Sequence, residues 1–523
     1  MKRRNFLQTA AAGTAASLPF FLNGMPLQTM AKSALFSNVN PDNDKVLVLI
    51  QLIGGNDGLN TIIPLDQYAG LAQVRGNIMI PEQNVLSLTD TVGVHPGLSV
   101  LRALYEEGKA GVVQAVGYPN QNRSHFRSMD IWNSGSGAEE TWSTGWLGRY
   151  LDSYYDGYPE GYPNEEHPHP FAITMGGNVS ETCQGWAANY SLTVFDPFSL
   201  NPLLEGEGGV LPDTPYGDEL AFLRHSIAQT NAYGEVITEA ANLGANTVVY
   251  PESIRLARQL KNVALLISGG LQTKVFVVSI GGFDTHANQV LEDGPLGGEH
   301  AQLLKAVSQA MTSFQQDLAN LGLEERVLSM TFSEFGRRIR SNASFGTDHG
   351  TAAPLMLFGA CVNPQVLGEN PEIDGQIGNS EGIPMQYDFR DVYGSILLDW
   401  FEVEESQVRN LLYDDFTYLP ILNTCESVVS DTEQATPELS VETFPNPCQA
   451  GFTLSFQCQR AQVRITLFDA VGAVVRQLAA RTLPPGRHRI EVDMSKQPAG
   501  AYFVRLQIGQ QIQTKRVVKL GSF

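Results

Sequence analysis

The sequence predicts an α/β protein: a mostly parallel sheet with helices on both faces, followed by a small antiparallel β-sandwich. Three observations carry this reading. Short, continuous apolar runs recur between residues 45 and 359. Helical patterns fill the intervals between several of them. Beyond residue 437 the pattern changes to brief alternating runs cut by Gly and Pro turns. A run that is apolar at both parities suits a strand buried on both faces, whereas alternation suits a strand with one face in water.

The first run, Lys45 to Leu52, stops abruptly at Gly54-Gly55-Asn56-Asp57-Gly58. A helical stretch from Leu98 to Glu107 leads into the second, Gly111 to Val116, and another helix opens near Ser124 and runs through Trp132. The third run, Val275 to Ile280, ends in Gly281-Gly282-Phe283-Asp284 and is followed by an amphipathic helix over residues 301–320. Val327 to Phe332 is a fourth strand and Ala353 to Gly359 a fifth. Strands alternating with helices indicate a mostly parallel sheet covered on both sides. After a polar, aperiodic linker over 426–437 come Phe452 to Phe456, Val463 to Leu467, Ile490 to Val492 and Tyr502 to Leu506, the strands of the expected sandwich.

The chain has 523 residues, enough for one large domain and a smaller one. Its net charge of −21, with no dense Lys/Arg cluster beyond the first four residues, argues against nucleic acid as a partner and against anionic lipid. No segment after the N-terminal one has the length and apolarity to span a bilayer. The five cysteines (Cys183, Cys361, Cys425, Cys448, Cys458) form no CxxC pair. Cys448 and Cys458 are close enough to bond if their strands neighbour each other; free thiols are the alternative. The odd count leaves one unpaired within a monomer.

Polar residues of chemical interest gather where strands are expected to end. Asp57, Ser124 with His125, Asp284 with His286, and Glu334 each follow the C-terminal end of a strand, the edge at which open α/β sheets bind ligands. Asp348-His349 instead precedes the fifth strand. Carboxylates and imidazoles on one edge are suitable ligands for Zn, Mn or another divalent ion. Each has a structural alternative: Asp57 in a turn, Asp284 as a cap, Glu334 paired with Arg337 or Arg338 on its own helix. His300 is either a further ligand or a helix-start residue, and His95 an entry residue before Pro96. Ser124 is either an N-cap or a nucleophile activated by a neighbouring cation, with Arg123 or Arg127 holding phosphoryl oxygens and His125 beside it.

The ends carry their own signatures. Met1-Lys2-Arg3-Arg4-Asn5-Phe6-Leu7 before a weakly apolar run to Leu22 resembles a twin-arginine signal peptide, with removal expected near residues 31–34. Phe444-Pro445-Asn446-Pro447, Asp469-Ala470-Val471-Gly472, Ala499 to Val504 and the final Thr514 to Leu520 resemble, in that order, a type IX secretion sorting domain over residues 438–523. These resemblances imply the twin-arginine translocase and the type IX secretion machinery as partners, and a protein secreted or attached to the outer cell surface.

The central region, residues 40–425, resembles the domain of unknown function 1501 family, exported proteins related to the alkaline-phosphatase and sulfatase fold. The resemblance rests on Gly54 to Asn60, Arg123 to Phe126, Gly145 to Arg149, Gly282 to His286, Ser333 to Arg337 and Asp348 to Gly350. It implies a two-metal phosphoesterase-like site, with Ser124 as nucleophile and Asp57, Asp284, His286, Glu334, Asp348 and His349 as the metal-ligand set. One ligand of the superfamily pattern is missing or replaced: either Phe335 follows Glu334 where that pattern has His, or Asp348-His349 is that pair and no later His within the domain closes the site. The resemblance also makes residues 150–255 a cap-like insertion. No Cys/Ser-x-Pro-x-Arg segment occurs, so phosphate esters are favoured over sulfate esters. The expectation is an exported metal-dependent hydrolase; the rival is a non-catalytic surface protein that captures polysaccharide or nutrient with a degenerate site.

Overall fold

The computed structural model describes residues 43–203, 214–292, 294–423, 441–458, 461–468, 474–483, 486–508 and 511–520, with the dipeptides Phe21–Leu22 and Met25–Pro26 paired antiparallel. The rest of the expected signal segment and the linker 426–437 lie outside the described residues. The chain divides into two units, Met1–Glu426 and Ser427–Phe523.

The five apolar runs of the first unit become strands β1 (Val46–Ile53), β2 (Ala110–Gly117), β5 (Val275–Gly281), β6 (Val327–Phe332) and β7 (Ala353–Phe358); four short strands that no run announced, β3 (Ala172–Thr174), β4 (Ser191–Thr193), β8 (Val366–Leu367) and β9 (Tyr387–Asp388), join them. They form a nine-stranded sheet in the order β8-β2-β7-β6-β1-β5-β3-β4, with β9 also against β2. β1 shows why a central strand reads as one apolar run. Val46, Val48, Ile50 and Leu52 pack into the core on one face, while Leu47 and Leu49 pack into the core on the other. Side chains alternate with period two, so burial on both faces demands apolar residues at both parities.

Helices cover each face. Residues of α1 (Ser99–Glu106), α4 (Pro215–Leu243), α5 (Arg255–Ser268) and α6 (Glu299–Asn320) join the first core. Residues of α2 (His125–Ser134), α3 (Trp146–Asp152), α7 (Phe389–Asp399) and α8 (Glu405–Leu411) join the second. There Trp132 stacks on Phe389, and Trp146 on Tyr393. Among the described residues no helix is long and apolar enough to cross a membrane.

Three features go beyond the sequence pattern. β5 and β6 pair parallel with β1, but β7 runs antiparallel to both β6 and β2. Its N-terminal end therefore lies on the rim where its neighbours have their C-terminal ends. Within residues 150–255, two three-residue strands join the sheet, since β3 pairs with β5 and β4 with β3. Glu334 is not helical; the chain after β6 is an irregular loop, and Arg337 and Arg338 pair elsewhere.

Among the described residues, the strands of the second unit pair antiparallel. β10 (Val441–Phe444), β11 (Gly451–Cys458) and β14 (Gly486–Asp493) form one sheet in the order β10-β11-β14. β12 (Ala461–Phe468), β13 (Val474–Leu483), β15 (Gly500–Ile508) and β16 (Gln511–Lys519) form another in the order β13-β12-β15-β16. Phe452, Leu454 and Phe456 share their core with Val463, Ile465 and Leu467, as alternation requires. Cys448 is a free, buried thiol, which excludes the considered bond to Cys458. Cys183 is also free, and burial pushes its thiol up to about 12. Cys361 is disulfide-bonded.

Candidate metal centre

The rim is built by a sharp turn. Where β1 ends, Gly54 and Gly55 take φ values of +123° and +84°. A Cβ on Gly54 would stand 2.2 Å from the Asp284 amide nitrogen, and one on Gly55 2.5 Å from the Phe335 ring. Only glycine lets the loops after β1, β5 and β6 close on one another. These buried amides have an acceptor waiting. Gly54 N–H lies 2.9 and 3.0 Å from the two Glu334 carboxylate oxygens, and Gly55 N–H lies 3.0 Å from Oε2.

Glu334 then reaches the first residue of α2: its Oε1 is 3.4 Å from His125 Nδ1. His349 is fixed by a different acceptor, the Arg123 carbonyl, 2.9 Å from its Nδ1. A carbonyl only accepts, so Nδ1 carries the proton and Nε2 keeps its lone pair. His286 repeats the arrangement, with Nδ1 3.0 Å from Asp348 Oδ1. Each imidazole thus has its Nδ1 side held and its Nε2 facing inward, the orientation that outer partners impose on metal-binding histidines.

The inward atoms converge on Asp284. His286 Nε2 and His349 Nε2 lie 3.1 and 3.2 Å from Oδ1, and His125 Nε2 lies 3.6 Å from Oδ2. His125, Asp284 and His349 each offer one ligand atom, and the three atoms lie within 4.8 Å of one another. His286 Nε2 is 3.0 Å from His349 Nε2. Two lone pairs at that distance repel unless a proton or a cation lies between them. Ligands on a tetrahedral Zn ion stand about 3.3–3.4 Å apart. Neutral imidazoles with a carboxylate are a donor set for Zn, Mn or Fe, so the residues fit a divalent ion.

Asp284 is half-exposed, and burial alone would raise its pKa. The hydrogen bond and charge of Arg337, 2.6 Å away, outweigh this with help from His349 and His286 and hold it below the usual carboxylate range. Arg337 is itself buried, donating to the carbonyls of Gly54, Gly55, Phe283 and Thr347. For His349 burial is the largest influence, and it keeps the imidazole below its ordinary value. Burial acts against Asp348 too, but His286 and Arg338 lower it.

Asp57 is placed apart from this cluster. It is buried, both its oxygens lie 3.1 Å from Arg75 Nη1, and Gln289 Nε2 donates to Oδ2 at 2.5 Å. His300, against Asn56 Oδ1 at 3.0 Å, and His95 belong to the same interior neighbourhood. Burial holds His95 down to about 3 and His300 to about 4. Glu334 is likewise engaged by backbone amides, so it orients His125 while Asp284 faces the centre. With Asp57 and Glu334 withdrawn, no second group of candidate ligands appears among the described residues.

Ser124 is exposed at the N-cap position of α2 and its hydroxyl makes no capping hydrogen bond. Arg127 is committed to the carbonyls of Ala138 and Glu140. Arg123 donates to the Ser380 carbonyl at 2.8 Å, and burial together with the neighbouring Arg338 charge lowers its pKa. Sequence reasoning gave Arg337 and Arg338 no role at the centre. Their carboxylate partners are 53 and 10 residues distant, so no local spacing announces them.

Residues 262–387 match the family described as "Protein of unknown function (DUF1501)", and residues 442–520 match "Secretion system C-terminal sorting domain". No curated protein matches the chain. Among solved structures, it is similar to a protein in the alkaline phosphatase superfamily from Vibrio parahaemolyticus, at 12% identity over 88% of this chain and 85% of that one, with a TM-score of 0.29. It is similar to a sulfatase from Pseudoalteromonas sp. at 10% identity over 86% and 84% of the two chains, TM-score 0.32. Murine ectonucleotide pyrophosphatase/phosphodiesterase 5 matches at 9% identity over 73% and 98%, TM-score 0.31. No residue's role follows from likeness at this level.

Proposed function

Starting from a central unit that carries the DUF1501 segment and a C-terminal unit that is a secretion sorting domain, we propose an exported hydrolase of phosphate or related esters that uses one divalent cation, Zn or Mn. The observation that carries the reading is the convergence of His125, Asp284 and His349 from three distant parts of the chain onto one point, with His286 alongside. The two Nε2 atoms of His125 and His349 and the Asp284 carboxylate would hold the ion, with His286 Nε2 as a further donor. When bound, such an ion polarises the ester group presented to it.

The chain's own residues supply the rest. Arg337 keeps Asp284 ionised and fixed. Glu334, Asp348 and the Arg123 carbonyl lock the three ring orientations, so little reorganisation is needed when a ligand arrives. Ser124, exposed beside His125 and unused as a cap, offers a hydroxyl for attack on phosphorus. The sorting unit and the N-terminal signal direct the protein outside the cytoplasm, released or held at the outer surface, by way of the twin-arginine and type IX machineries.

Metal analysis of the full chain purified from its native host tests this directly. Near-stoichiometric Zn or Mn is expected, lost in an Asp284→Ala/His286→Ala double variant, together with hydrolysis of simple phosphate esters. A protein that arrives without metal and takes up none would sink the reading. The withdrawal of Asp57 and Glu334 favours a second reading, a metal-binding surface protein without turnover. It predicts metal, no activity on phosphate or sulfate esters, and retention on glycan arrays.

A further inference from the structure

His125, the first residue of α2, is followed by an aromatic residue that folding leaves in water: Phe126 is 87% exposed. One exposed aromatic means little by itself. Its surroundings give it a place. A helix turns about 100° per residue, so Phe126 stands between the column of Met129 and that of Asp130 and Asn133. Met129 Sδ accepts from Gln51 Nε2 at 3.5 Å, and Thr182 Oγ1 donates to Asn133 Oδ1 at 2.8 Å. Gln51 is on β1 and Thr182 follows β3, so Phe126 overlooks the rim between those strands, where β5 ends. Ile53, two residues beyond Gln51, shares its face of β1 and is exposed. Its register partner on β5 is Gly281, exposed and without a side chain; a Cβ there would meet nothing within 4 Å. Beyond β3, Val179 is exposed. These residues bound an open trough, with Gly281 as its floor, Phe126 and Ile53 on one side and the segment at Val179 on the other. The strands flanking β5 stand about 9–10 Å apart, room for one flat ring at a contact distance of about 3.5–4.0 Å from each wall. The trough starts at the cation cluster, because Phe126 adjoins His125 and Gly281 lies three residues before Asp284. Other sides of the cluster are filled or polar. The Phe335 ring packs against His125 and His349 with centroids 4.9 and 4.6 Å apart, and Asp348 and Arg338 occupy the flank beside His286.

We propose that this trough receives the organic part of the ester, and that the substrate class is a phosphate ester of an apolar, ring-bearing alcohol. The proposal deepens the hydrolase reading and rests on it for the identity of the reacting group. The anionic head is served by the cation; the rest of the molecule has to leave the cluster along an open side, and the open side is apolar. Phe126 offers a flat face there, and the missing side chain of Gly281 leaves the ring its space.

The test is calorimetric titration of the Zn-loaded full chain at pH 8 with benzylphosphonate and methylphosphonate, which share an anionic head and have no ester bond to lose. Zinc content is measured for each variant. Benzylphosphonate is expected to bind about tenfold more tightly than methylphosphonate. Phe126→Ala should remove most of that ratio with zinc content unchanged, and Phe126→Tyr, which keeps the ring, should preserve it. Gly281→Val, which fills the floor, should lower benzylphosphonate affinity about tenfold. Equal affinity for the two phosphonates, or a ratio that survives both Phe126→Ala and Gly281→Val, overturns the trough. A chain that takes up no Zn and binds neither phosphonate overturns both the trough and the hydrolase. Otherwise the two readings fail separately. A Phe126-dependent ratio with no ester turned over keeps the trough and removes the hydrolase. Benzyl and methyl phosphate lose alcohols of similar acidity; turnover of both with the same kcat/KM, indifferent to Phe126→Ala, does the reverse.

Discussion

Asp57 and Asp284 show how the same side chain takes opposite duties. Asp57 is sealed inside with Arg75; burial works against its ionisation, but the Arg75 and His300 charges hold its pKa below the ordinary value. Asp284 faces water among imidazoles. Asp57→Asn is therefore expected to cost about 3–5 kcal/mol in urea unfolding, because it leaves Arg75 buried without its partner, and to leave metal content unchanged if the domain folds. Asp284→Asn should do the opposite, lowering metal affinity with little effect on stability. His95 and His300 add a pH dependence. Their folded pKa values, about 3 and about 4, lie below the unfolded value near 6.5. Below pH 6.5 the unfolded chain takes up protons that the folded chain refuses, so stability falls as the pH drops from 6.5 toward 4. The slope should be about 1.4 kcal/mol per pH unit for each imidazole. Unfolding midpoints at pH 7, 6 and 5 would reveal it, and His300→Gln should halve it; a flat profile would contradict the buried neutral pair.

The elements explain why these residues meet. β1, β5 and β6 deliver Gly54-Gly55, Asp284 and Glu334 to one rim because they are parallel neighbours. Asp348 and His349 reach the same rim because β7 is reversed, so its start lies where the others end. The strands were legible in the sequence from their apolar runs; the direction of β7 was not, because periodicity reports burial and carries no sign of chain direction. The turn after β1 should be intolerant of change. Gly54→Ala would combine a φ of +123° with a Cβ 2.2 Å from Asp284 N. It is expected to push the Asp284 loop outward and weaken Zn binding at least about tenfold. Gly322→Ala, at a φ of +68° with open space around it, is the control: about 1 kcal/mol of strain and unchanged zinc.

For the whole molecule, the two units share no hydrophobic core: two lie on the faces of the nine-stranded sheet and one lies within the sandwich. Separate cores predict two calorimetric transitions. Zn should raise only the transition of the central unit, since a ligand stabilises the unit that binds it. A chelator should reverse that shift and leave the sandwich transition in place. A single transition moving as one with metal would show that the units unfold together.

The sequence alone determined what local pattern can encode: the five longer strands of the sheet, four strands of the second unit, and which residue types could bind a cation; the short strands β3, β4, β8 and β9 carried no such pattern. The tertiary structure decided which of those residues share a point in space. Asp57 and Asp284 both follow a buried strand and both lie beside glycine or a polar turn, yet one meets Arg75 and the other meets three imidazoles. Helix and strand patterning act over a few residues. The pairing of a carboxylate with a partner tens or hundreds of residues away depends on strand order and direction, which follow from packing the whole sheet.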